Sequence, residues 1–353
     1  MKIKTTRWRW PLALLVVAAA TSQVHADGKS WVIPQRTLPA PAGASDALRA
    51  AIANTPQPNV VEHIRQTTYT TREEWVESIR AADAGNAQST EALTERWPVT
   101  IAEDKIAGVT VRTVIPAAID PANKDRLFVH VHGGAYVLNG GPAGLSEAIL
   151  IAHRAKIPVM SIDYRMPPEH PFPAAIDDVV AVWKSLLGDR PAKSMALGGT
   201  SAGGGLTLAS TLRFMELGLE TPGALWAGTP WADLTKTGDS LFTNEGIDRM
   251  LVSYHGVLEG AAKLYADGRD LKTPLISPVY GEFKGFPPTY LVTGTRDLFL
   301  SDTVRIHRKM RVAGVVADLN VYEGVSHGEY MVDSPESQQA YGELGAFLLR
   351  HLQ

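Results

Sequence analysis

The segment Gly199-Thr200-Ser201-Ala202-Gly203 sets a serine between two glycines, directly after the apolar run Met195-Ala196-Leu197 and before a helix-forming stretch. A strand that turns sharply into a helix at a serine lifts the hydroxyl clear of the sheet edge. Glycines two positions to either side relieve the crowding of so tight a turn. The Ala202 N–H then lies at a helix N-terminus, where developing negative charge is stabilised. Those are the parts of a nucleophile that attacks a carbonyl carbon. A glycine-rich helix start also serves phosphate binding or close packing. Phosphate loops carry a lysine ahead of the closing Ser or Thr, which Gly203-Gly204-Gly205 lacks, and no G-x-G-x-x-G dinucleotide pattern fits.

A second glycine motif, His132-Gly133-Gly134-Ala135-Tyr136, follows the apolar run Leu127 to Val131. Glycines let backbone N–H groups approach an oxyanion, so Gly133, Gly134 and Ala202 are the candidate donors, with Ala135 close by. His132 reads as a structural residue that holds its loop by side-chain hydrogen bonds. His130 and His132, at i and i+2 on a strand, share a face and offer a pair of metal ligands. No matching carboxylate and histidine set accompanies them, so neither a metal nor a cofactor is assigned. A serine nucleophile needs a base, and the base an orienting group. Of the ten histidines, His327 stands in Gly324-Val325-Ser326-His327-Gly328, just past the last expected strand. Asp297 stands in Gly294-Thr295-Arg296-Asp297-Leu298, just past the run Tyr290 to Val292. Both lie at carboxyl ends of strands, where the sites of open α/β sheets gather. Asp302 is the rival carboxylate, placed further into the next helix. Alone, each of these is as readily a cap or turn residue. Joined to the two glycine motifs, they make a nucleophile, base and acid set.

The elements that must position these residues follow from periodicity. Val99 to Ala102 and Val109 to Ile115 are β-branched runs parted by a turn at Gly108, an opening antiparallel pair. Apolar strands then alternate with helices: strands at Leu127 to Val131, Val159 to Ile162, Met195 to Leu197, Leu225 to Ala227, Tyr290 to Val292 and Leu319 to Tyr322, and helices at Leu145 to Ala155, Ala174 to Leu187, Ala202 to Leu217, Val304 to Ala313 and Gln338 to Leu352. Continuous apolar strands alternating with helices imply an α/β fold with a mostly parallel sheet covered on both faces. Residues 235–285 break the alternation, with one helical piece at Val257 to Tyr265, and read as a pocket-wall insertion. Residues 27–96 read as an N-terminal arm or cap, helical at Ala47 to Ala53 and at Arg72 to Ala82, the latter capped by Thr71. The arm and the insertion are the candidate pocket builders, with Trp231, Phe242, Tyr254 and Tyr136 as candidate lining aromatics.

The 353 residues include no cysteine, which excludes disulfides and cysteine-based metal or redox sites, and the 45% apolar content is that of a globular protein. Lys2, Lys4, Arg7 and Arg9 precede a short apolar run from Pro11 to Ala20 and a Val24-His25-Ala26 cleavage pattern. This is a secretory signal over residues 1–26, too short to anchor stably in a membrane, and it implies a periplasmic or secreted chain starting at Asp27. Its removal takes four positive side chains and moves the formal net charge from −3 to −7. That balance argues against a nucleic-acid partner and suits a neutral or cationic small molecule.

With these residues in view, the chain resembles the bacterial hormone-sensitive-lipase family of α/β-hydrolases (esterases and lipases) over residues 97–353. The family's His-Gly-Gly-Gly-aromatic motif is matched by His132 to Tyr136. Its Tyr-Arg-x-x-Pro-Glu-His-Pro-Phe-Pro-Ala-Ala block appears as Tyr164, Arg165 and Pro168 through Ala175. The serine motif is that of the Gly-Thr-Ser-Ala-Gly branch, and the chain order Ser201, Asp297, His327 is the order such hydrolases use. Two departures stand out: Ala135 replaces the third glycine of the oxyanion loop, and Gly205 stands where many relatives carry Asn. The resemblance implies an α/β-hydrolase fold and a serine carboxylesterase acting on short to medium acyl esters. The same machinery would serve a lactone hydrolase or a small N-acyl amidase, and relatives that lost a triad residue act as small-molecule binding proteins. The resemblance also allows a homodimer. In the family the Tyr164–Ala175 block shapes the core, which leaves Asp163 and Glu169 outside the active site.

Overall fold

In the computed structural model, which describes residues 35–353, eight strands form one sheet in the order β1-β2-β4-β3-β5-β6-β7-β8. The expected signal segment lies outside the described residues. The strands are β1 (Val99–Ile106), β2 (Val109–Pro116), β3 (Leu127–Val131), β4 (Val159–Ile162), β5 (Met195–Thr200), β6 (Ala224–Gly228), β7 (Thr289–Gly294) and β8 (Ala317–Tyr322). The first two pair antiparallel through Ala107 and Gly108, both at positive φ, the mirror-image turn that matches the twist of paired strands. β2 also runs antiparallel to β4, and every later pairing is parallel.

The helices are α1 (Asp46–Asn54), α2 (Val60–Thr67), α3 (Arg72–Arg96), α4 (Ser146–Ala155), α5 (Ala174–Asp189), α6 (Ala202–Glu216), α7 (Ser240–Thr243), α8 (Val257–Ala266), α9 (Leu300–Val312) and α10 (Pro335–His351). Strand side chains alternate between two cores, as the two-residue period requires. Leu127, Val129, Leu197, Leu225 and Leu291 join Trp183, Phe214 and Ile306 of α5, α6 and α9 on one face. Phe128, Ala196, Trp226, Tyr290 and Val292 join Ile149, Leu344 and Phe347 of α4 and α10 on the other. Every residue of β3, β5, β6 and β7 is buried, so their carboxyl ends are rigid mounts for loops.

Elements expected from the sequence are present, several of them longer. α3 runs 14 residues past the expected Ala82. Half of that extension is Ala, Glu, Leu and Arg, and exposed Gly85 costs it about 1 kcal/mol. Docking offsets that cost: Thr90 is buried and its hydroxyl shares a hydrogen bond with Ser146 at 2.8 Å. Thr71 and Glu74 form a reciprocal capping box at its start. α2, capped by Asn59, was not anticipated. The arm is pinned at its other end, where the Ser45 N–H and hydroxyl both donate to Glu336 of α10 at 2.9 Å.

Candidate active site

The turn at Ser201 shows why its neighbours are glycines. A Cβ at Gly199 or Gly203 would stand 1.9 or 2.1 Å from the Val131 carbonyl oxygen, which occupies the notch between them. Ser201 itself sits at φ 64° and ψ −124°, a conformation that costs a non-glycine residue about 1–3 kcal/mol. Three backbone bonds hold it there: its N–H donates to Gly228 at 2.8 Å, and its carbonyl accepts from Gly205 at 3.0 Å and Trp231 at 2.9 Å. From beneath, buried Glu147 of α4 accepts from the Thr200 N–H at 2.9 Å and from the Thr200 hydroxyl, with Trp226 Nε1 at 3.0 Å and Tyr341 at 3.3 Å as further donors. Glu147 also faces His130 Nε2 at 3.3 Å, while His130 Nδ1 is bonded to Ser161 at 2.9 Å. Both ring nitrogens of His130 are thus engaged in the core.

His132 diverges from His130 and stacks on Tyr164, with ring centroids 4.2 Å apart. Its Nδ1 lies 2.8 Å from the Gly133 carbonyl oxygen and therefore carries the proton it donates there. Burial pushes the imidazole down to about 4, so it stays neutral through the physiological range. Gly133 packs against the serine turn: a Cβ there would meet the Thr200 carbonyl oxygen at 2.7 Å and Ser201 Cβ at 3.3 Å. Among the described residues, the N–H groups of Gly133, Gly134 and Ala202 donate to no acceptor.

His327 and Asp297 are brought together at the carboxyl ends of β8 and β7. His327 Nδ1 lies 3.1 Å from Asp297 Oδ1. The fully buried carboxylate also accepts from the Phe299 N–H at 2.7 Å, from Thr293 Oγ1 at 3.0 Å and from Thr229 Oγ1. Burial works to lower the His327 pKa, but the adjacent Asp297, with Asp248 behind it, outweighs burial and holds the imidazole above its ordinary value. Asp302, the rival carboxylate, points elsewhere: its Oδ2 accepts from the Ala232 and Asp233 N–H groups at 3.1 and 2.9 Å.

Asp248 escaped sequence reading because it lies in the irregular insertion with no motif around it. It is fully buried, and accepts from Met250 at 2.8 Å, Leu251 at 3.1 Å, Leu298 at 2.8 Å and, at 3.4 Å, His327. One carboxylate thus ties the insertion to the acid loop and the histidine loop together. Thr229 and Thr293 were missed for a different reason: a threonine at a strand end carries no signal of the carboxylate it will meet.

Ser201, His327, Gly133 and Gly134 line one cleft of about 580 Å³. The Ser201 hydroxyl makes no hydrogen bond to a described residue and is free to meet a ligand there. Asn86, Ser89 and Leu93 of α3 form one wall, and Met250, Leu251, Val257 and Leu258 of the insertion another, with Leu138, Met331 and Val332 completing an apolar lining. The arm and the insertion do build the pocket, but the four expected aromatics do not line it. Tyr136, Trp231 and Tyr254 are buried in the core, Tyr136 stacking on Tyr265 at 4.0 Å, and Phe242 is turned out to solvent beneath Lys236. Packing large rings against the sheet removes more apolar surface from water than a solvated cleft would. Asp163 and Glu169 stand outside the cleft, paired with Arg112 and Arg72.

Residues 128–331 match the family model for the alpha/beta hydrolase fold. The crystal structure of an esterase, E25, superposes with a TM-score of 0.90 at 53% identity, covering 92% of this chain and 99% of that one. A crystal structure of an esterase from the bacterial hormone-sensitive lipase family superposes with a TM-score of 0.71 at 29% identity, covering 83% and 97%. Among sequences, an acetyl-hydrolase of Streptomyces hygroscopicus is 31% identical over 68% of this chain and 81% of its own length. An esterase of Acinetobacter venetianus is 32% identical over 64% of this chain and 75% of its own.

Proposed function

The chain belongs to the bacterial hormone-sensitive-lipase family of α/β-hydrolases and is an ester-hydrolysing enzyme, and from that premise we propose a serine carboxylesterase for short to medium acyl esters, with Ser201 as nucleophile, His327 as base and Asp297 as orienting acid. The observation that carries this reading is the buried His327–Asp297 pair opening on the same cleft as the strained, unbonded Ser201.

In the proposed cycle, His327 Nε2 takes the Ser201 proton as Oγ attacks the acyl carbon. The carbonyl oxygen becomes an oxyanion and is held by the unpartnered N–H groups of Gly133, Gly134 and Ala202. Asp297 fixes the Nδ1–H tautomer and stabilises the imidazolium. Collapse breaks the bond to the alcohol oxygen, which takes the proton from His327. Water, deprotonated by His327, then attacks the acyl-enzyme, and the acid leaves as Ser201 regains its proton. The cleft lining is mostly apolar, and its one carboxylate, Glu147, is already bonded to the serine turn, so an uncharged acyl group fits it. Each added methylene that finds this lining contributes about 0.8 kcal/mol, roughly fourfold, until the cleft is full.

Hydrolysis of p-nitrophenyl esters of rising chain length, beside Ser201→Ala, tests the reading. Turnover by the parent and none by a folded variant is expected. A parent inert on all esters, or a variant that keeps its turnover, overturns the reading. The basic and apolar N-terminal segment supports export to the periplasm or beyond, and N-terminal sequencing of the exported protein should begin at Asp27.

A further inference from the structure

The cap helix α3 reaches past the pocket wall into the oxyanion loop. Asn86 Nδ2 donates to Asn139 Oδ1 at 2.7 Å, and Asn139 Nδ2 in turn donates to the Gly133 carbonyl at 3.2 Å. One turn earlier on the same helix, Asp83 accepts from the Asn139 N–H at 2.6 Å and the Gly140 N–H at 3.2 Å. Asn139 is held at φ 75°, a left-handed conformation that asparagine tolerates better than most residues, so its backbone is fixed by the helix while its amide spans two partners. The Gly133 carbonyl therefore has two donors, His132 Nδ1 from its own loop and Asn139 Nδ2 from the relay.

A trans peptide unit is rigid, and its C=O and N–H point in opposite directions. Fixing the Gly133 oxygen fixes the direction of the Gly134 N–H, one of the three unpartnered donors at the cleft. Gly134 itself has no latitude to admit a side chain: at φ 113° a Cβ would meet the Leu138 carbonyl oxygen at 2.4 Å and Asn139 Nδ2 at 2.9 Å. The relay and the loop are packed as one unit.

We propose that Asp83 and Asn86 of the cap helix are positioning residues for transition-state stabilisation, acting through Asn139 on the Gly133–Gly134 peptide. This rests on the serine-esterase reading above. It makes the cap part of the oxyanion site: an α3 lifted from Asn139 leaves the peptide held by His132 alone, so turnover depends on a docked cap even for substrates too small to touch it.

The test uses the full mature chain with p-nitrophenyl acetate, and with a trifluoromethyl ketone, which adds the serine oxygen and leaves an oxyanion in place of the ester's tetrahedral intermediate. Variants are Asn86→Ala, Asn139→Gly, which removes the amide while accepting the positive φ, and Asn139→Asp, which keeps the acceptor for Asn86 but removes the donor to Gly133. Exposed Gln88→Ala on the same helix is the control. Asn86→Ala and Asn139→Gly are expected to lower kcat about tenfold with KM within twofold, and to weaken the ketone by the same factor as kcat/KM. Asn139→Asp should lose more than Asn139→Gly, and Gln88→Ala nothing. Circular dichroism checks that each variant is folded; should Asn139→Gly fail to fold, Asn86→Ala on the helix surface carries the test. A folded Asn86→Ala with parental kcat and ketone affinity overturns the relay, as does a loss confined to KM. A parent with no esterase turnover and no ketone binding overturns the serine-esterase reading instead.

Discussion

Replacing Asp297 by Asn separates charge from geometry at this site. Asp297 Oδ1 accepts from His327 Nδ1 at 3.1 Å and from the Phe299 N–H at 2.7 Å, whereas Oδ2 meets only the hydroxyls of Thr293 and Thr229. An asparagine turned with its NH₂ toward Oδ1 would set donor against the Phe299 donor. Turned the other way, its oxygen keeps both Oδ1 partners and its NH₂ meets two hydroxyls, which rotate to accept. The structure thus selects the orientation that preserves the Nδ1–H tautomer and leaves Nε2 as base. What is lost is the negative charge beside the imidazolium. For unit charges about 4 Å apart at an effective dielectric of about 20, that is worth up to about 4 kcal/mol. At 1.36 kcal/mol per decade the expected loss in kcat is about 10²–10³-fold, short of the roughly 10⁴ that a trapped wrong tautomer costs. The pH profile gives a second readout. In the proposed cycle activity needs neutral His327, so kcat/KM should fall as pH drops through its pKa, which the fold holds above the ordinary 6.5. In the variant, burial persists while the main opposing charge is gone, so the acid limb moves downward. Rates on p-nitrophenyl acetate between about pH 5 and 9 measure both. A loss under tenfold with an unmoved limb would refute Asp297 as the partner, and a loss beyond 10⁴ would refute the orientation argued for the amide.

Two further outcomes concern stability. Gly205→Ala should unfold the chain at lower temperature, by about 1–3 kcal/mol, because a Cβ there would meet the Trp231 carbonyl oxygen at 2.3 Å and the Tyr136 hydroxyl at 2.5 Å. Adding Tyr136→Phe should recover little, since the carbonyl remains; full recovery in thermal melts would contradict this. Burial first, then neighbouring Asp233, hold the Asp302 carboxyl well above the usual range. Its contribution to stability is therefore full below the unfolded carboxyl pKa and lost as pH rises through the folded value. Asp302→Asn, which keeps an acceptor for the Ala232 and Asp233 N–H groups, should gain on the parent in Tm as pH rises from about 5 to 8. Asp302→Ala orphans both donors at about 1–3 kcal/mol each and should melt lower than either; equal melts for the two variants would show that the backbone contacts carry no weight.

The legible part of this molecule is the part with a strict local grammar. The serine turn can be read because Val131 presses its carbonyl oxygen between positions 199 and 203, and only glycine survives there. The strands can be read because β3, β5, β6 and β7 are buried on both faces and must be continuously apolar. Asp297 and His327 can be expected near one another because each follows the carboxyl end of a parallel strand, β7 and β8, and their side chains meet at 3.1 Å. Pocket aromatics misled for the opposite reason: Trp231 and Tyr254 sit in segments without periodicity, where nothing local distinguishes a ring facing ligand from one facing core.

Gly205 shows how a departure from a motif becomes intelligible only through a distant partner. Read alone, it is a helix start left loose by the loss of Asn. In the fold, the Tyr136 hydroxyl stands 2.5 Å from where any Cβ at 205 would be, so the side chain at one end of the oxyanion loop occupies the space given up at the serine helix. The same holds for Thr200, whose hydroxyl and N–H both end on Glu147, a carboxylate 53 positions earlier in the chain. The negative charge beneath the serine turn is supplied from α4, where no reading of the turn itself would look for it. Residues that do chemistry are fixed by what they must touch locally, and those that hold them are fixed by whichever element the topology brings past. The second set therefore includes Glu147 of α4 and Asp248 of the insertion, 53 and 79 positions along the chain from the groups they hold.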